Sequence, residues 1–437
     1  MKRTQKLLLT VGCIVLAAVA WLAALTSKSD ARKQSELIEK AQVYMEDKAY
    51  VRAQPYLEEA AGYNAKHTLE AEEALKKVYL NLVETSGYRR KYTDLLDKQM
   101  ARKNAEPAVF QEAAQYYLDT NKAKKALEVL KTGIEKTGSE ELRQFYEKNR
   151  YLYKMNRNTY QEVTAICNGG IQVANDGLWG LATATGSLVI PCEYDRISTY
   201  SSVAITKSGR TYSAVNSDNN RYALSHTDIT DFGNLNNNRI GVKTKEGWKL
   251  ANGDFATGTL AVDEIGMYSN GYIPAKEKGK WGFMDPNGKE WQMEPQYDEL
   301  IMDELGRCVA QDVYFARSGS KVQLYDTDGK QVGDTYEDAR PFADGWAAVK
   351  KNGKWGFIDA SGEVKIDYQF DDALSFGQHL AAVQKGRYWG YISREGKMVI
   401  PANFLEAKSF SGGSAPVKTA DGWRFITLVE YEKEVGI

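Results

Sequence analysis

The sequence predicts a multidomain protein: an N-terminal transmembrane helix, an all-α array of helix pairs and a C-terminal all-β repeat domain. Three observations carry this prediction. Leu7–Leu25 is an uncharged apolar run, the next region has helical periodicity with few Gly or Pro, and a Trp-Gly pair then recurs among short alternating strands. The predicted domains are therefore residues 1–29, 30–160 and 161–437.

The composition is that of a globular protein and gives no signal for a charged partner. The chain has 437 residues, of which 43% are hydrophobic and 26% are charged, with a formal net charge of −1. A net charge near zero gives no electrostatic argument for binding nucleic acid. The 27 tyrosines and 37 glycines suit β-sheets joined by many turns.

The N-terminal segment is long enough to span a membrane. Leu7–Leu25 contains nineteen residues without a charge, which is about the length that crosses a bilayer core as a helix. Three basic residues precede it and favour a cytoplasmic N-terminus. We expect a single-pass signal anchor in a bacterial cell membrane, with the bulk of the chain extracytoplasmic. Because Ala18-Val19-Ala20 also fits a cleavage site, secretion after removal of a signal peptide is the alternative.

Residues 30–160 show the spacing of packed helix pairs. Two stretches share one pattern, in which an alanine is followed by small or large apolar residues 3, 12, 16 and 19 positions later. This pattern resembles the tetratricopeptide repeat family. The resemblance implies a groove for peptides or partner proteins, and an ordinary helical bundle is the alternative. The two sets are Ala41, Tyr44, Ala53, Leu57 and Ala60, and Ala114, Tyr117, Ala126, Leu130 and Gly133.

A repeated β unit follows, and a Trp-Gly pair marks its four clear copies. Those pairs and four degenerate equivalents are separated by 33, 36, 33, 41, 33, 34 and 34 residues. The spacing and the motif resemble the WG-repeat family. The clear copies are at Trp179-Gly180, Trp281-Gly282, Trp355-Gly356 and Trp389-Gly390, and the degenerate ones at Tyr212-Ser213, Trp248-Lys249, Val322-Gln323 and Trp423-Arg424.

Each unit is predicted to be a small antiparallel meander of three or four strands. In "GWAAVKKNGKWGFIDASG", Asn352-Gly353 predicts a tight hairpin, and Asp359-Ala360-Ser361-Gly362 predicts a second turn. A single unit cannot bury its apolar face, so about seven of them must pack together. We expect a β-propeller-like ring because closure removes unprotected strand edges, and an open β-solenoid is the alternative.

The Trp-Gly pairs are predicted to be structural repeat-signature residues. Side chains alternate along "KWGFI", so Trp355 would fill the apolar layer between units while Gly356 admits a neighbouring backbone or aromatic ring. Their recurrence favours core packing over platforms for sugars. The residues assigned this role are Trp179, Gly180, Trp281, Gly282, Trp355, Gly356, Trp389 and Gly390.

No catalytic, cofactor-binding or metal site is indicated. Acidic residues recur near the end of most units, which is more typical of a turn cap than of a catalytic pair of carboxylates. The four cysteines form no C-x-x-C pair and the three histidines are scattered, so no usual zinc spacing is present. A disulfide between Cys167 and Cys192 is possible, but the sequence does not establish it. The acids lie in Tyr194-Asp195, Tyr297-Asp298, Glu337-Asp338 and Asp371-Asp372.

These features predict a non-catalytic, membrane-anchored scaffold whose repeat surfaces recognise a protein partner or a cell-envelope glycan or peptide, without nucleic acid or cofactor. The alternative is an enzyme that degrades envelope polysaccharide or peptide, with its site in the β-repeat domain. Its sign would be a histidine or acid present in only one copy, and His226 and His379 are the candidates. The polar segment "GNLNNNR", Gly233–Arg239, is a further candidate contact surface.

Overall fold

The computed structural model describes residues 28–63, 65–224, 228–252 and 255–430. The chain divides into two compact units, with the boundary between Glu147 and Lys148. The first unit is helical and the second consists of β-sheets, and each has apolar clusters of its own.

The helical unit contains seven helices in the part of the chain that the structure describes. This number is consistent with the predicted tetratricopeptide-like array. The helices are α1 (28–46), α2 (Tyr50–Gly62), α3 (Thr68–Asn81), α4 (Tyr88–Ala101), α5 (Pro107–Asp119), α6 (Ala123–Thr137) and α7 (Glu140–Asn149).

The small residues that define the helical pattern lie in the core of this unit. Ala41, Ala53 and Ala60 are fully buried. A Cβ atom added to Gly133 of α6 would lie only 2.7 Å from Cγ of Phe110 in α5. Small side chains therefore allow the close helix contacts that the spacing predicts.

The pair formed by α3 and α4 is joined by a buried charge. Glu72 of α3 has no exposed side-chain surface, and its Oε1 lies 2.7 Å from Nη2 of Arg102 and 3.1 Å from Nζ of Lys98. Gln99 of α4 donates a further hydrogen bond of 3.1 Å to the same carboxylate. A carboxylate is stable inside a protein only with such partners, so this polar network holds the middle pair together.

The β unit contains thirty-one strands in the described residues. All the pairings between these strands are antiparallel, as expected for meanders joined by short turns. In chain order they are β1 (Tyr153–Met155), β2 (Glu162–Val163), β3 (Gly170–Asn175), β4 (Leu178–Thr183), β5 (Leu188–Tyr194), β6 (Arg196–Ile197), β7 (Ala204–Ser208), β8 (Thr211–Val215), β9 (Arg221–Ala223), β10 (Asp231–Asn236), β11 (Arg239–Thr244), β12 (Gly247–Asn252), β13 (Glu264–Ile265), β14 (Ile273–Glu277), β15 (Lys280–Met284), β16 (Trp291–Tyr297), β17 (Glu299–Leu300), β18 (Val313–Ser318), β19 (Lys321–Asp326), β20 (Gln331–Tyr336), β21 (Asp338–Ala339), β22 (Trp346–Lys351), β23 (Lys354–Asp359), β24 (Val364–Phe370), β25 (Asp372–Ala373), β26 (Ala381–Lys385), β27 (Tyr388–Ile392), β28 (Met398–Phe404), β29 (Glu406–Ala407), β30 (Ser414–Thr419) and β31 (Gly422–Leu428).

These strands form the eight sheets, or blades, of a β-propeller. Seven sheets have four strands and one has three. Blade 1 is β2–β5, blade 2 is β6–β9, blade 3 is β10–β12, blade 4 is β13–β16, blade 5 is β17–β20, blade 6 is β21–β24, blade 7 is β25–β28, and blade 8 is β29–β31 with β1.

The ring is closed by pairing between the two ends of the β unit. In blade 8, β1 pairs antiparallel with β31, with Tyr153 opposite Leu428 and Met155 opposite Ile426. Beyond β1, the backbone N–H of Phe425 donates a 2.9 Å hydrogen bond to Oδ1 of Asn156. The predicted ring is therefore correct, and the open β-solenoid is excluded.

The predicted number of units was too low. The sequence pattern indicated about seven units, with an incomplete hairpin at the C-terminal end. In the structure that hairpin, β30 and β31, is completed by β29 on one side and by β1 on the other. Because β1 precedes the first repeat, local pattern does not connect it with the last one.

The predicted transmembrane helix and the predicted single-pass membrane location need correction. Across the described residues, no helix combines the length and the apolar character needed to cross a membrane. Helices α2–α7 have 10 to 15 residues and mix charged with apolar side chains, whereas a span needs about 20 apolar residues. Leu7–Leu25, on which the prediction was based, lies outside the described residues.

Blade 6 shows why glycine follows tryptophan in the repeat. Trp355 of β23 faces Phe370 of β24, but Phe357 faces Ile366, so β24 contains a bulge opposite Gly356. A Cβ atom on Gly356 would lie 2.7 Å from the carbonyl oxygen of Ile366. The bulged backbone therefore occupies the space that any side chain at this position would need.

We predict that Gly356→Val destabilises the β unit by about 3 kcal/mol, because the added methyl groups must displace backbone rather than a flexible side chain. Thermal and urea unfolding of the purified protein would measure this loss. Gly233→Ala is the control, since its added Cβ would meet nothing closer than 3.8 Å. Equal stability of Gly356→Val and the wild type would contradict the proposed role of the bulge.

Candidate functional site

The signature tryptophans lie inside the propeller and do not form an exposed binding platform. Trp281, Trp355 and Trp389 are 7%, 3% and 9% exposed, and Trp179 is half-buried. Trp355 packs in one cluster with residues of its own blade and with Phe376 of the next. These side chains fill the apolar layers between blades.

The repeated acids bond to backbone at the junctions between blades. In each case a carboxylate oxygen accepts a hydrogen bond from the N–H of a glycine in the strand 2–strand 3 hairpin of the following blade, at 2.6 to 3.1 Å. One acid at each junction is therefore occupied by a turn, whereas Asp338 and Asp372 both lie beside the guanidinium of Arg340, at 4.0 and 3.4 Å. The pairs are Asp195 with Gly209, Asp298 with Gly319, Glu337 with Gly353, and Asp371 with Gly386.

A long connection in blade 5 occupies the centre of the ring. We call residues 302–309, between β17 and β18, the plug. Its Leu305 oxygen accepts a 3.1 Å hydrogen bond from Asn234 of blade 3, and its Gly306 oxygen accepts one of 2.8 Å from the N–H of Met267 in blade 4. Glu304 forms an ion pair with Lys408 of blade 8. A segment that touches blades on different sides of the ring must lie at its centre.

The plug packs against apolar side chains of other blades, and two of the cysteines are buried in this region. Leu305 packs with Met267 and with Cys167 of blade 1. Cys308 is buried nearby, and burial raises the pKa of both thiols. Cys167, Cys192 and Cys308 are all free, so the Cys167–Cys192 disulfide does not form.

A ring of tight turns surrounds the centre on one face. These turns precede strand 2 of each blade, and we call them the turn ring. Seven are two-residue turns in which both residues have positive φ, as type I′ geometry requires, and one contains a single such residue. The turns are Asn168-Gly169, Ser202, Asn237-Asn238, Asn270-Gly271, Gln311-Asp312, Asp344-Gly345, Gln378-His379 and Gly412-Gly413.

Hydrogen bonds connect the turns of neighbouring blades. The N–H of His379 donates to Oδ2 of Asp344 at 2.5 Å, and the N–H of Gly413 donates to Oε1 of Gln378 at 2.6 Å. Nδ2 of Asn270 donates to the carbonyl oxygen of Val309, at the end of the plug, at 2.8 Å. The turn ring and the plug therefore belong to one surface, opposite the hairpin turns that the repeated acids cap.

The turns of blades 6 and 7 bring an arginine, a histidine, an aspartate and a tryptophan together on this surface. Arg394 lies over the ring of Trp346, with Cζ 4.8 Å from the ring centroid. Its Nη2 is 3.1 Å from Oδ1 of Asp344, and its Nε donates to Nδ1 of His379 at 3.0 Å. The His379 side chain is 52% exposed. We call Asp344, Trp346, His379 and Arg394 the recognition cluster.

The geometry of His379 differs from that of a catalytic base. In a catalytic triad a carboxylate accepts a hydrogen bond from the N–H of one ring nitrogen, which leaves the other nitrogen free to act as the base. Here the guanidinium of Arg394 donates to Nδ1, and the nearest oxygen of Asp344 is farther away, at 3.5 Å. The arrangement holds an arginine in place and presents the imidazole edge to solvent.

The two histidine candidates from the sequence have different outcomes. His379 lies in the recognition cluster, whereas His226 lies outside the described residues. Trp346 and Arg394 were not identified from the sequence, although aligning the turns would have shown that blade 7 has Gln378-His379 where four other blades have glycine at the second position. Across the described residues, no group of His, Cys, Asp or Glu could hold a metal ion.

The propeller sequence matches a known repeat family. Five stretches match the WG containing repeat: residues 179–208, 261–281, 324–355, 355–388 and 389–423. The resemblance predicted from the Trp-Gly spacing is confirmed, and the β unit contains five repeats that match this family. A comparison with curated proteins found no match.

Several solved structures are similar to this chain at a low level. Hsv2 of Kluyveromyces lactis is 10% identical with a TM-score of 0.34, over 58% of this chain and 92% of that one. The WD40 domain of Neurospora crassa Pan2 is 10% identical with a TM-score of 0.36, over 62% and 90%. PorZ, a surface component of the type-IX secretion system of Porphyromonas gingivalis, is 11% identical with a TM-score of 0.34, over 60% and 42%. Likeness at this level carries no argument about function.

We predict that the β unit loses stability in acid because of its junction carboxylates. Lys280 and the Gly319 N–H lower the pKa of Asp298, and Lys354 and the Gly386 N–H lower that of Asp371. A lowered folded-state pKa gives stability that is fully present above about pH 4 and is lost as pH falls through the folded value. The melting temperature, measured from neutral pH downward, should therefore decrease as the pH falls below about 4.

The double variant Asp298→Asn, Asp371→Asn keeps an acceptor oxygen but removes both charges. It should melt lower than the wild type at neutral pH and lose less stability on acidification. Asp218→Asn is the control, because that carboxylate accepts no hydrogen bond and forms no ion pair in the described residues. Identical pH profiles for the double variant and the wild type would contradict this explanation.

Proposed function

We propose that this WG-repeat propeller is a non-catalytic scaffold that binds a protein partner through the face carrying the turn ring. The observation that carries the proposal is the Gln378-His379 turn. Four of the other turns have glycine at their second position, where the left-handed conformation is unstrained. Gln378 and His379 adopt φ of 54° and 63°, at a backbone cost of about 1 kcal/mol each.

Strained residues with side chains on an exposed face support a binding role. Asn-Gly would adopt this backbone conformation with less strain, so the side chains of Gln378 and His379 are what the position gains in return. His379 projects from the turn and contacts Arg394, which is 30% exposed. Side chains that reduce stability while presenting a polar surface are typical of sites selected for contact with another molecule.

The chemistry of the recognition cluster suits a protein surface. Tryptophan and arginine are the residue types most often responsible for affinity at protein interfaces. Asp344 and the ring of Trp346 hold the Arg394 guanidinium in place before any partner arrives. Less side-chain entropy is therefore lost on binding, which favours affinity.

The closed centre of the ring supports the same surface. Because the plug contacts blades 1, 3, 4 and 8, a partner segment cannot enter through the middle of the propeller from the turn-ring face. On this face the partner would therefore contact the turn ring that surrounds the plug. The helical unit is consistent with a tetratricopeptide-like array, and such arrays commonly bind peptides, so we propose that it contributes a second binding surface.

We predict that His379→Gly separates stability from binding. Relief of the left-handed strain should leave the free energy of unfolding unchanged or raise it by up to about 1 kcal/mol. The same variant, and Arg394→Ala, should lose most of the protein partner that the wild-type chain retains in affinity capture from its native cells. Unfolding curves and quantitative mass spectrometry of the retained proteins would measure both effects.

Lys385→Ala is the matched control, because Lys385 is exposed at the end of β26 on the opposite face. It should retain the partner as well as the wild type does. Equal retention by the wild type, His379→Gly and Arg394→Ala would contradict the proposed surface. Turnover of a peptide or polysaccharide substrate that a single acid-to-amide change abolishes would contradict the non-catalytic role.

A further inference from the structure

A polar cleft lies between blades 3 and 4 on the turn-ring face. It has a volume of about 340 Å³ and contains the tip of the β10–β11 hairpin, the end of β12 and the turn between β15 and β16. Four asparagines line it: Asn237, Asn238, Asn252 and Asn287. The cleft includes the end of the "GNLNNNR" segment that the sequence indicated as a contact surface, and it is separate from the recognition cluster.

The cleft carries two positive charges and no negative one among the described residues that line it. Arg239 and Lys289 are the cations, and no acidic side chain is among the twelve lining residues. Neither cation forms an ion pair with any carboxylate of the described chain. The remaining described side chains in the lining are neutral, so the described part of the lining attracts an anion.

A cavity on the opposite face provides a direct contrast. It has a volume of about 300 Å³ and lies between blades 5 and 6. Its Lys351 pairs with Asp334 at 2.8 Å, and Glu337 lies in the same lining. In that cavity the charges compensate one another, whereas in the cleft of blades 3 and 4 they do not.

The guanidinium of Arg239 is already held in one orientation. Its Nε donates to the carbonyl oxygen of Pro286 at 2.7 Å, and its Nη1 donates to that of Asn237 at 3.2 Å. Its Cζ lies 4.6 Å from the centroid of the Tyr268 ring. Nη2 makes no hydrogen bond with any described residue, so it presents N–H groups that a carboxylate can accept without reorganisation of the arginine.

We propose that this cleft binds a carboxylate of an acidic peptide segment, with Arg239 and Lys289 as the anion-binding groups. The side-chain amides around them offer both donors and acceptors, which match the alternating N–H and C=O groups of a peptide backbone. This inference rests on the proposed protein-binding function. It adds to the recognition cluster another binding site on the propeller, the cleft, and defines the chemistry of its partner. The carboxylate is either an Asp or Glu side chain or the C-terminus of the segment.

The test uses three pools of short fluorescent peptides and the full chain in a polarisation assay. The first pool has two central Glu residues and an amidated C-terminus, the second replaces both with Gln, and the third has Gln with a free C-terminal carboxylate. We expect the first or third pool to bind about tenfold more tightly than the second. That affinity should weaken as salt is raised. The comparison of the first and third pools identifies the source of the carboxylate.

Arg239→Gln should reduce the preference for the acidic pool about tenfold, and Lys289→Gln should reduce it by a smaller factor. Lys351→Gln, in the compensated cavity, should leave it unchanged. Arg239→Lys keeps the charge but not the forked geometry and should be intermediate. If Arg239→Gln does not fold, Lys289→Gln provides the test of the cleft. Its replacement should not disturb folding because Lys289 lies exposed in a turn.

Equal binding of the three pools would overturn the inference, as would wild-type preference in both Arg239→Gln and Lys289→Gln. The Arg394→Ala variant separates this result from the proposed function. A chain that captures a protein through the recognition cluster but shows no preference for acidic peptides refutes only the proposed site in the cleft. Acidic-peptide binding without any loss of partner capture in Arg394→Ala refutes only the first.

Discussion

The pairing of β1 with β31 is the interaction on which the rest of the β unit depends. Without it, blade 8 would leave an unpaired edge, and the apolar layers between blades 8 and 1 would face solvent. Closure forces all eight blades into one circle, so each blade is covered by a neighbour on both sides. The buried tryptophans and the bulges opposite the repeat glycines follow from this constraint, because they set how closely consecutive blades pack.

Closure also creates a centre that must be filled, and the longest repeat fills it. The 41-residue spacing between Trp281 and Val322 stands out from the spacing of 33 on either side of it. Its additional residues form the plug, where glycine permits close backbone contact: a Cβ atom on Gly306 would lie 2.9 Å from the nitrogen of Met267. An irregularity that looks like a loop insertion in the sequence therefore completes the core of the ring.

In the proposed function, stability and recognition are divided between the two faces of the propeller. On the hairpin face, carboxylates bond to backbone N–H groups in one unit after another, so the side chains there are largely occupied by the fold. On the turn-ring face, one position differs from blade to blade and several blades use side chains where glycine would be less strained. The same backbone turn thus has a purely structural role in some units and carries polar side chains on the surface in others.

The sequence by itself determined the helical region, the repeated unit, its hairpin turns and the preference for a closed ring. Those features depend on local turn chemistry and on side-chain alternation, which a single stretch such as Lys351–Gly362 already contains. Only the tertiary structure decided the eighth blade, the path of the plug and the recognition cluster. Asn156 and Phe425 are 269 residues apart, and Asp344 and Arg394 are 50 apart. The first contact arises from closure of the ring and the second from packing of blade 6 against blade 7, and no local pattern encodes either of them.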